Sequence, residues 1–333
     1  MKKAAAILLA AALTLLSGCG AKDGTGETPA VSAAEPPAAS EPAISEPAVS
    51  SEAPAQSTQQ EEFVSETDAE GNYTVMVNGD VFWTDGYTVR EPENTVDITT
   101  ARLSDFGDHF TTRYPVTTDT YKLCAGTKYE IEVLHIASED PGPTVYIVSG
   151  IHGDEIGGWY AGTLLKEMTL SCGEVYLIAP ANVNGAKNGT RYVTGKQDLN
   201  RSFPGGSSDA GRIAAAIYGD IADKQPELLL DLHEAIVYTD GRDFLGSTLI
   251  FTDLAGMEDL FFDVLMATQT GEICQGEFGY TGPGPDGSIN ATVTNELKIP
   301  AITVETFRGY NIERRITEQL DIVEHILAYK GMI

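Results

Sequence analysis

Two of the five histidines in this 333-residue chain stand where metal chemistry would use them. His152 lies in VSGIHGDEIGGW with Glu155 three residues on, and His233 lies in LLLDLHE. Catalytic zinc commonly takes three protein ligands from histidine and carboxylate, leaving one position open. A His-x-x-Glu pair on a loop entering a helix can turn both side chains to one point. A histidine from a distant strand would complete a His2Glu set. Gly150 and Gly153 would let that loop turn tightly without Cβ clashes. No HExxH occurs in the chain, which excludes a zincin-type site.

The spacing alone leaves two readings open. His-x-x-Glu arises by chance in many sequences, and a histidine closing a strand is usually a satisfied polar group. What favours a site is recurrence. TVYIVSG runs into His152 and Glu155, LLLDLH ends at His233, and AITVETF carries Glu305 near its end. In open α/β sheets, ligands bind beyond the carboxyl ends of the strands. Between these runs lies GTRYVTGKQDLNRSFPG, with Arg191, Asn200 and Arg201. Such a loop suits the grip of a carboxylate by forked hydrogen bonds. Surface arginines paired with nearby acids are the plainer alternative. Asp154 is expected to be solvated or to serve the helix start.

The elements that must position these residues are legible in the hydrophobic pattern. Residues 144–150, 174–181, 228–233, 247–251 and 301–305 are nearly continuous apolar runs, as strands buried on both faces are. KYEIEVLHIA alternates like a strand, and 156–168, 209–223, 257–270 and 312–329 have helical character. Strands alternating with helices predict an α/β domain with a central mixed, mostly parallel sheet and helices on both faces. YTVMVNGDVFW reads as a hairpin turning at Asn78 and Gly79.

The domain organisation follows from composition. Lys2 and Lys3 precede an apolar run from Ala4 to Leu16, too short for a mature membrane span and suited to a signal peptide over 1–18. Leu16-Ser17-Gly18-Cys19 resembles the bacterial lipoprotein signal, in which Cys19 is lipidated. The expectation is an exported, cell-envelope protein anchored at Cys19, with two or three acyl chains holding it firmly. Residues 19–65 are dominated by Ala, Pro, Ser, Glu, Thr and Gln and are expected to be a disordered tether. Residues 66–118 are expected as a small β-rich lead-in or the first edge of the sheet, and 119–333 as the catalytic domain.

The formal net charge is −28, of which residues 1–65 carry −5, leaving −23 for the remainder. That argues against nucleic acid and anionic lipid surfaces as partners, since both need a positive face. With Cys19 lipidated, Cys124, Cys172 and Cys274 remain. An odd number without CxxC points to buried free thiols rather than a disulfide framework or a thiolate zinc site.

GIHGDE, DLNRSFPG, DLHE and PAITVETF, in this order, resemble the succinylglutamate desuccinylase/aspartoacylase family, a branch of the zinc carboxypeptidase fold. The resemblance covers roughly 120–333 and implies that His152, Glu155 and His233 hold one Zn2+ per chain. It further implies that Asp198 orients a ligand histidine, His152. Asn200 and Arg201 would bind the substrate's carboxylate, Arg191 would polarise the scissile carbonyl, and Glu305 would be the general base for a zinc-activated water. Two features depart from the pattern or leave it open. Val183 stands where the family usually shows Pro, and Tyr280, in EFGYTGPGPDGS, could contact substrate or simply pack. The implied function is a zinc amidohydrolase acting next to a free carboxylate, as a metallocarboxypeptidase or an N-acyl-amino-acid deacylase. Its partners would be small acyl amino acids or peptides, with the membrane reached only through the lipid. The competing expectation is a non-catalytic peptide- or solute-binding lipoprotein on the same fold.

Overall fold

A computed structural model describes strands between residues 63 and 88, and then residues 97–235, 245–252 and 256–333. The expected signal peptide, Cys19 and the tether up to residue 62 lie outside the described residues. Four short strands, β1 (Phe63–Thr67), β2 (Tyr73–Val77), β3 (Asp80–Thr84) and β4 (Tyr87–Thr88), pair antiparallel in that order. The β2–β3 pair is the expected hairpin, and β1 begins inside the segment expected as tether.

The main sheet has eight strands: β5 (Val116–Leu123), β6 (Ile131–Ser138), β7 (Thr144–Ser149), β8 (Glu174–Ile178), β9 (Leu228–Ala235), β10 (Thr248–Phe251), β11 (Gly279–Thr281) and β12 (Ala301–Phe307). Their order is β11-β10-β12-β9-β7-β8-β6-β5. The centre, β12-β9-β7-β8, is parallel throughout, while β10 and β6 join it antiparallel. The helices are α1 (Ile156–Leu164), α2 (Val183–Asn188), α3 (Asp209–Lys224), α4 (Glu258–Thr270), α5 (Ile289–Thr292) and α6 (Ile312–Tyr329). No described helix is long and apolar enough to cross a membrane.

Successive strand residues face opposite sides of the sheet, and both sides are covered. Val145, Ile147, Leu228, Leu230, Leu232, Ile302 and Val304 pack in one core with α1, α4 and α6. Tyr146, Val148, Leu229 and Ala301 pack in the other, with α3 and α5. That is why the central strands read as unbroken apolar runs. The same parity sends Asp231, His233, Thr303 and Glu305 to the side of α3 and α5.

The lead-in is more than an approach to the sheet. Leu103, Phe106 and Phe110 are buried in the α6 core. The Phe110 N–H donates to Glu324 Oε1 at 2.6 Å, and His109 Nδ1 lies 2.8 Å from Glu324 Oε2. β5, the last strand at that edge, starts at Val116, inside the expected lead-in. Cys124, Cys172 and Cys274 are free, as expected, but half-buried rather than buried.

Around α6 the buried titratable groups favour the protonated state. Burial pushes the Glu318 carboxyl up to about 7 against the opposing pull of Arg314, and burial also raises Asp321. For His109, burial alone would lower the pKa, but Glu324 and Asp321 raise it. Each group binds its proton more tightly folded than unfolded. The stability it adds is therefore complete below its unfolded pKa and lost as pH rises through its folded pKa. The melting temperature of the chelator-treated protein should fall by several degrees between about pH 5.5 and pH 8, and Glu318→Gln should flatten that slope. A melting temperature that rises over this interval would contradict the assignment.

Candidate metal centre

β7 leaves the sheet at Gly150, whose φ of +70° suits glycine. The loop then carries His152 and Glu155 to the start of α1. Gly153 serves close approach: a Cβ there would collide with the backbone of Gly185 and Ala186 in α2. Glu155 occupies the N-cap position of α1, yet its side chain makes no cap hydrogen bond. The carboxylate turns inward instead.

Ligand atoms of His152, Glu155 and His233, all buried, lie within 4.8 Å of one another. Glu155 Oε1 is 2.6 Å from His152 Nδ1, and its Oε2 is 2.7 Å from His233 Nδ1. The two imidazoles meet edge to face with centroids 4.7 Å apart. Their far nitrogens also meet carboxylates. His152 Nε2 is 3.2 Å from Asp198 Oδ1, and His233 Nε2 is 3.1 Å from Asp231 Oδ2. A carboxylate only accepts, so both nitrogens of each ring carry hydrogens in this arrangement: burial would lower the imidazole pKa values, but Glu155 with Asp198 or Asp231 raises them. A cation at the centre would displace the Nδ1 hydrogens, while Asp198 and Asp231 keep those on Nε2 and leave each Nδ1 lone pair to the cation. Two such nitrogens and one carboxylate, buried and held from outside by two further carboxylates, fit the donor set of a catalytic divalent cation.

The charge states agree with this. Burial works against ionisation of Glu155, but His152 and His233 outweigh it and hold its pKa well below the usual range. Burial likewise opposes ionisation of Asp198, but His152 and Arg191 prevail and keep it a carboxylate.

Glu305 arrives by strand register. β12 runs parallel to β9 with Glu305 opposite His233 and Thr303 opposite Asp231. Burial, the largest influence on it, raises the Glu305 carboxyl to about 7, with His233 pulling the other way. Its carboxylate makes no hydrogen bond among the described residues. A group poised near neutral pH can both take and return a proton.

Arg191 borders this centre. Its Nε and Nη2 donate to Asp198 Oδ2 at 3.1 and 3.0 Å, and its Nη1 stands 3.5 Å from Glu155 Oε1. Asn182 supports it. The Asn182 side chain accepts from the Gly185 N–H and donates to the Arg191 carbonyl at 3.2 Å, so α2 opens at Val183 with a capped start. Asn200 is buried; its Oδ1 accepts from the Ile289 N–H at 3.0 Å, and its Nδ2 lies 3.3 Å from His233 Nε2. Arg201 is exposed, with Nη1 donating to the Asn200 carbonyl at 2.7 Å.

Tyr280 is placed apart from these groups. It sits on the edge strand β11, 64 % exposed, with its ring edge on Phe261 at 5.3 Å. It lines a groove of about 330 Å³ with Phe251, Met257 and Phe261, none of them part of the metal trio.

Sequence reasoning overlooked several contributors. Asp231 had a readable signal: it lies two residues before His233 on a strand, hence on the same face. Thr303 Oγ1, 3.4 Å from Asp231 Oδ2, and Asn290 Nδ2, 3.0 Å from Thr303 Oγ1, extend that support. Asp154 corrects an expectation. Rather than being solvated or serving the helix start, it pairs with buried Arg308, Nη1 to Oδ2 at 3.1 Å, linking the ligand loop to the residues after β12.

Comparison with known proteins places these features in context. A family model described as the succinylglutamate desuccinylase/aspartoacylase catalytic domain matches residues 141–328, more than half of the chain. No curated protein matches the chain by sequence. Among solved structures, a succinylglutamate desuccinylase from a Silicibacter species is 17 % identical, with a TM-score of 0.52 over 66 % of this chain and 68 % of its own. The product-bound ectoine utilization protein of Ruegeria pomeroyi is 19 % identical, with a TM-score of 0.52 over 66 % of this chain and 69 % of its own. The tripeptide-bound cell shape determinant Csd4 of Helicobacter pylori is also 19 % identical, with a TM-score of 0.53 over 61 % of this chain and 56 % of its own. At such identities the likeness establishes the fold.

Proposed function

Since the chain belongs to the succinylglutamate desuccinylase/aspartoacylase catalytic-domain family, we propose that it is a zinc-dependent amidohydrolase. In this reading it cleaves an amide bond next to a free carboxylate, in a small peptide or an N-acyl amino acid. It works from the cell envelope, tethered through Cys19. The observation that carries the reading is the buried trio of His152, Glu155 and His233 with Glu305 beside His233 in strand register.

His152, Glu155 and His233 would hold one Zn2+. When bound, such a cation supplies Lewis acidity and makes water a nucleophile near neutral pH. The remaining work belongs to the chain. Asp198 and Asp231 hold the imidazoles in one tautomer and orientation. Glu305 accepts a proton from water and returns it to the leaving nitrogen. Arg191, already directed towards the centre, donates to the carbonyl oxygen as that oxygen gains negative charge. Asn200 and Arg201 take the substrate's carboxylate and set its register. Of these two, Arg201 has the freer side chain, because Asn200 is buried with its Oδ1 accepting from the Ile289 N–H. The ligands named for the structural relatives, a tripeptide in Csd4 and a product in the ectoine utilization protein, support a small peptide or acyl amino acid as substrate.

The test is a panel of N-acyl amino acids and short peptides with free carboxyl termini, scored for released amine. Hydrolysis should be abolished by a chelator and restored by about one equivalent of zinc. No hydrolysis of any member by zinc-loaded protein would favour a binding role instead.

A further inference from the structure

We propose that Glu234 is a positioning residue for the metal trio: it caps helix α1 from strand β9 and so frees Glu155, which occupies the cap position, to face His152 and His233. The inference rests on the reading of that trio as a metal centre.

A helix start leaves backbone N–H groups without partners, and the N-cap side chain normally accepts one of them. In this chain Asn182, Ser208, Ser288 and Asn311 do so for α2, α3, α5 and α6. Glu155 stands at the same position on α1 and does not. A carboxylate cannot turn back to its own helix while it faces two imidazoles, so the cap must come from elsewhere.

Glu234 supplies it. Its Oε2 accepts from the Gly157 N–H at 2.9 Å, while its own N–H donates to Glu155 Oε2 at 3.0 Å. The two glutamates are thus cross-linked, each side chain accepting from backbone in the other's segment. One bond holds the start of α1 against β9. The other fixes the Glu155 oxygen that faces His233. The carboxylate also places negative charge at the positive end of the helix dipole.

The surroundings are shaped to this arrangement. A Cβ on Gly157 would collide with Glu234 Oε1, and would stand 3.0 Å from its Cδ and 3.1 Å from Arg315 Cβ. Glycine at 157 therefore opens the space that the carboxylate fills. Arg315, from α6, brings Nη1 to 2.9 Å from Glu234 Oε1, so the buried carboxylate is neutralised where it lies. Because successive strand residues alternate, His233 serves the metal side of the sheet while Glu234 reaches α1 and α6 on the other.

The test compares two double variants, built so that neither leaves Arg315 as an uncompensated buried charge. Glu234→Ala with Arg315→Met removes the cap and both charges. Glu234→Gln with Arg315→Met removes the charges and keeps the accepting oxygen. Zinc affinity is measured by competition with a chromophoric chelator, and protection of the Gly157 amide by hydrogen exchange on chelated protein. The alanine pair should weaken zinc binding about 10- to 100-fold and expose the Gly157 amide. The glutamine pair should bind within a few-fold of wild type. An alanine pair that melts earlier but binds zinc like wild type overturns the proposal, as does a glutamine pair that binds as weakly as the alanine pair. Should the alanine pair fail to fold, Gly157→Ala crowds the carboxylate without removing it. Weakened zinc binding in that variant supports the proposal, and unchanged binding overturns it. A wild-type chain that binds no zinc overturns the functional reading, and this inference with it.

Discussion

Glu305→Gln is expected to lower kcat/KM by about 10²- to 10⁴-fold while zinc content stays at the wild-type level. Glutamine has nearly the same shape, so β12 and its register with β9 should survive. Glu305 lies beside the metal trio but is not part of it, so the cation should remain. What disappears is the one carboxylate near the trio that has no hydrogen-bond partner among the described residues and can still exchange a proton. The pH dependence carries the same assignment. Glu305 acts as a base only when ionised, so hydrolysis should fall as pH drops through its pKa. Burial sets that value at about 7 without a cation, and a cation beside it favours the charged form. The acid limb of the kcat/KM profile should therefore lie below pH 7 and vanish in the glutamine variant. Zinc-loaded Glu305→Gln that hydrolyses at the wild-type rate would remove Glu305 from the mechanism.

His233→Ala is expected to abolish stoichiometric zinc binding and, with it, all hydrolysis above background. In the proposed reading His233 would supply one of three ligands, and it is itself held between Glu155 and Asp231. Its removal leaves Asp231, fully buried, without its imidazole partner. Such an orphaned buried carboxylate is costly, so the melting temperature should fall as well. The two effects are separable by metal analysis of protein that remains folded by circular dichroism. A folded variant that retains one zinc per chain would exclude His233 as a ligand. Hydrolysis by wild type and not by this variant would set aside the alternative of a binding protein without catalysis.

Much of the centre was legible before any coordinates. His152, Glu155, His233 and Glu305 all lie at the exits of strongly apolar strands, and buried parallel strands write themselves as continuous apolar runs. The β2–β3 hairpin was readable from Asn78 and Gly79. Other features gave no local sign. Leu103, Phe106 and Phe110 belong to the α6 core, but they lie in a short irregular segment without the periodicity that marks a buried face. Asp154 looked like a solvated residue because its partner, Arg308, is 154 positions away. For Tyr280 the sequence left substrate contact and packing both open; it lies on the exposed edge strand β11 against Phe261.

By itself the sequence singled out the four side chains that meet at the centre, His152, Glu155, His233 and Glu305, and marked the central strands and the longer helices. Those follow from residue type and local period, which act over a few neighbours. Tertiary structure alone decided how these groups meet. The parallel register of β9 and β12 sets Glu305 beside His233 although they are 72 positions apart, and a slip of one residue would send it to the opposite face. Only the packed fold brings Asp198 and Asp231 to the outer imidazole nitrogens, turns Arg191 towards Glu155, and carries Glu234 to the start of α1. Convergence of this kind depends on sheet order and strand register, which long-range burial selects and no short stretch of sequence encodes.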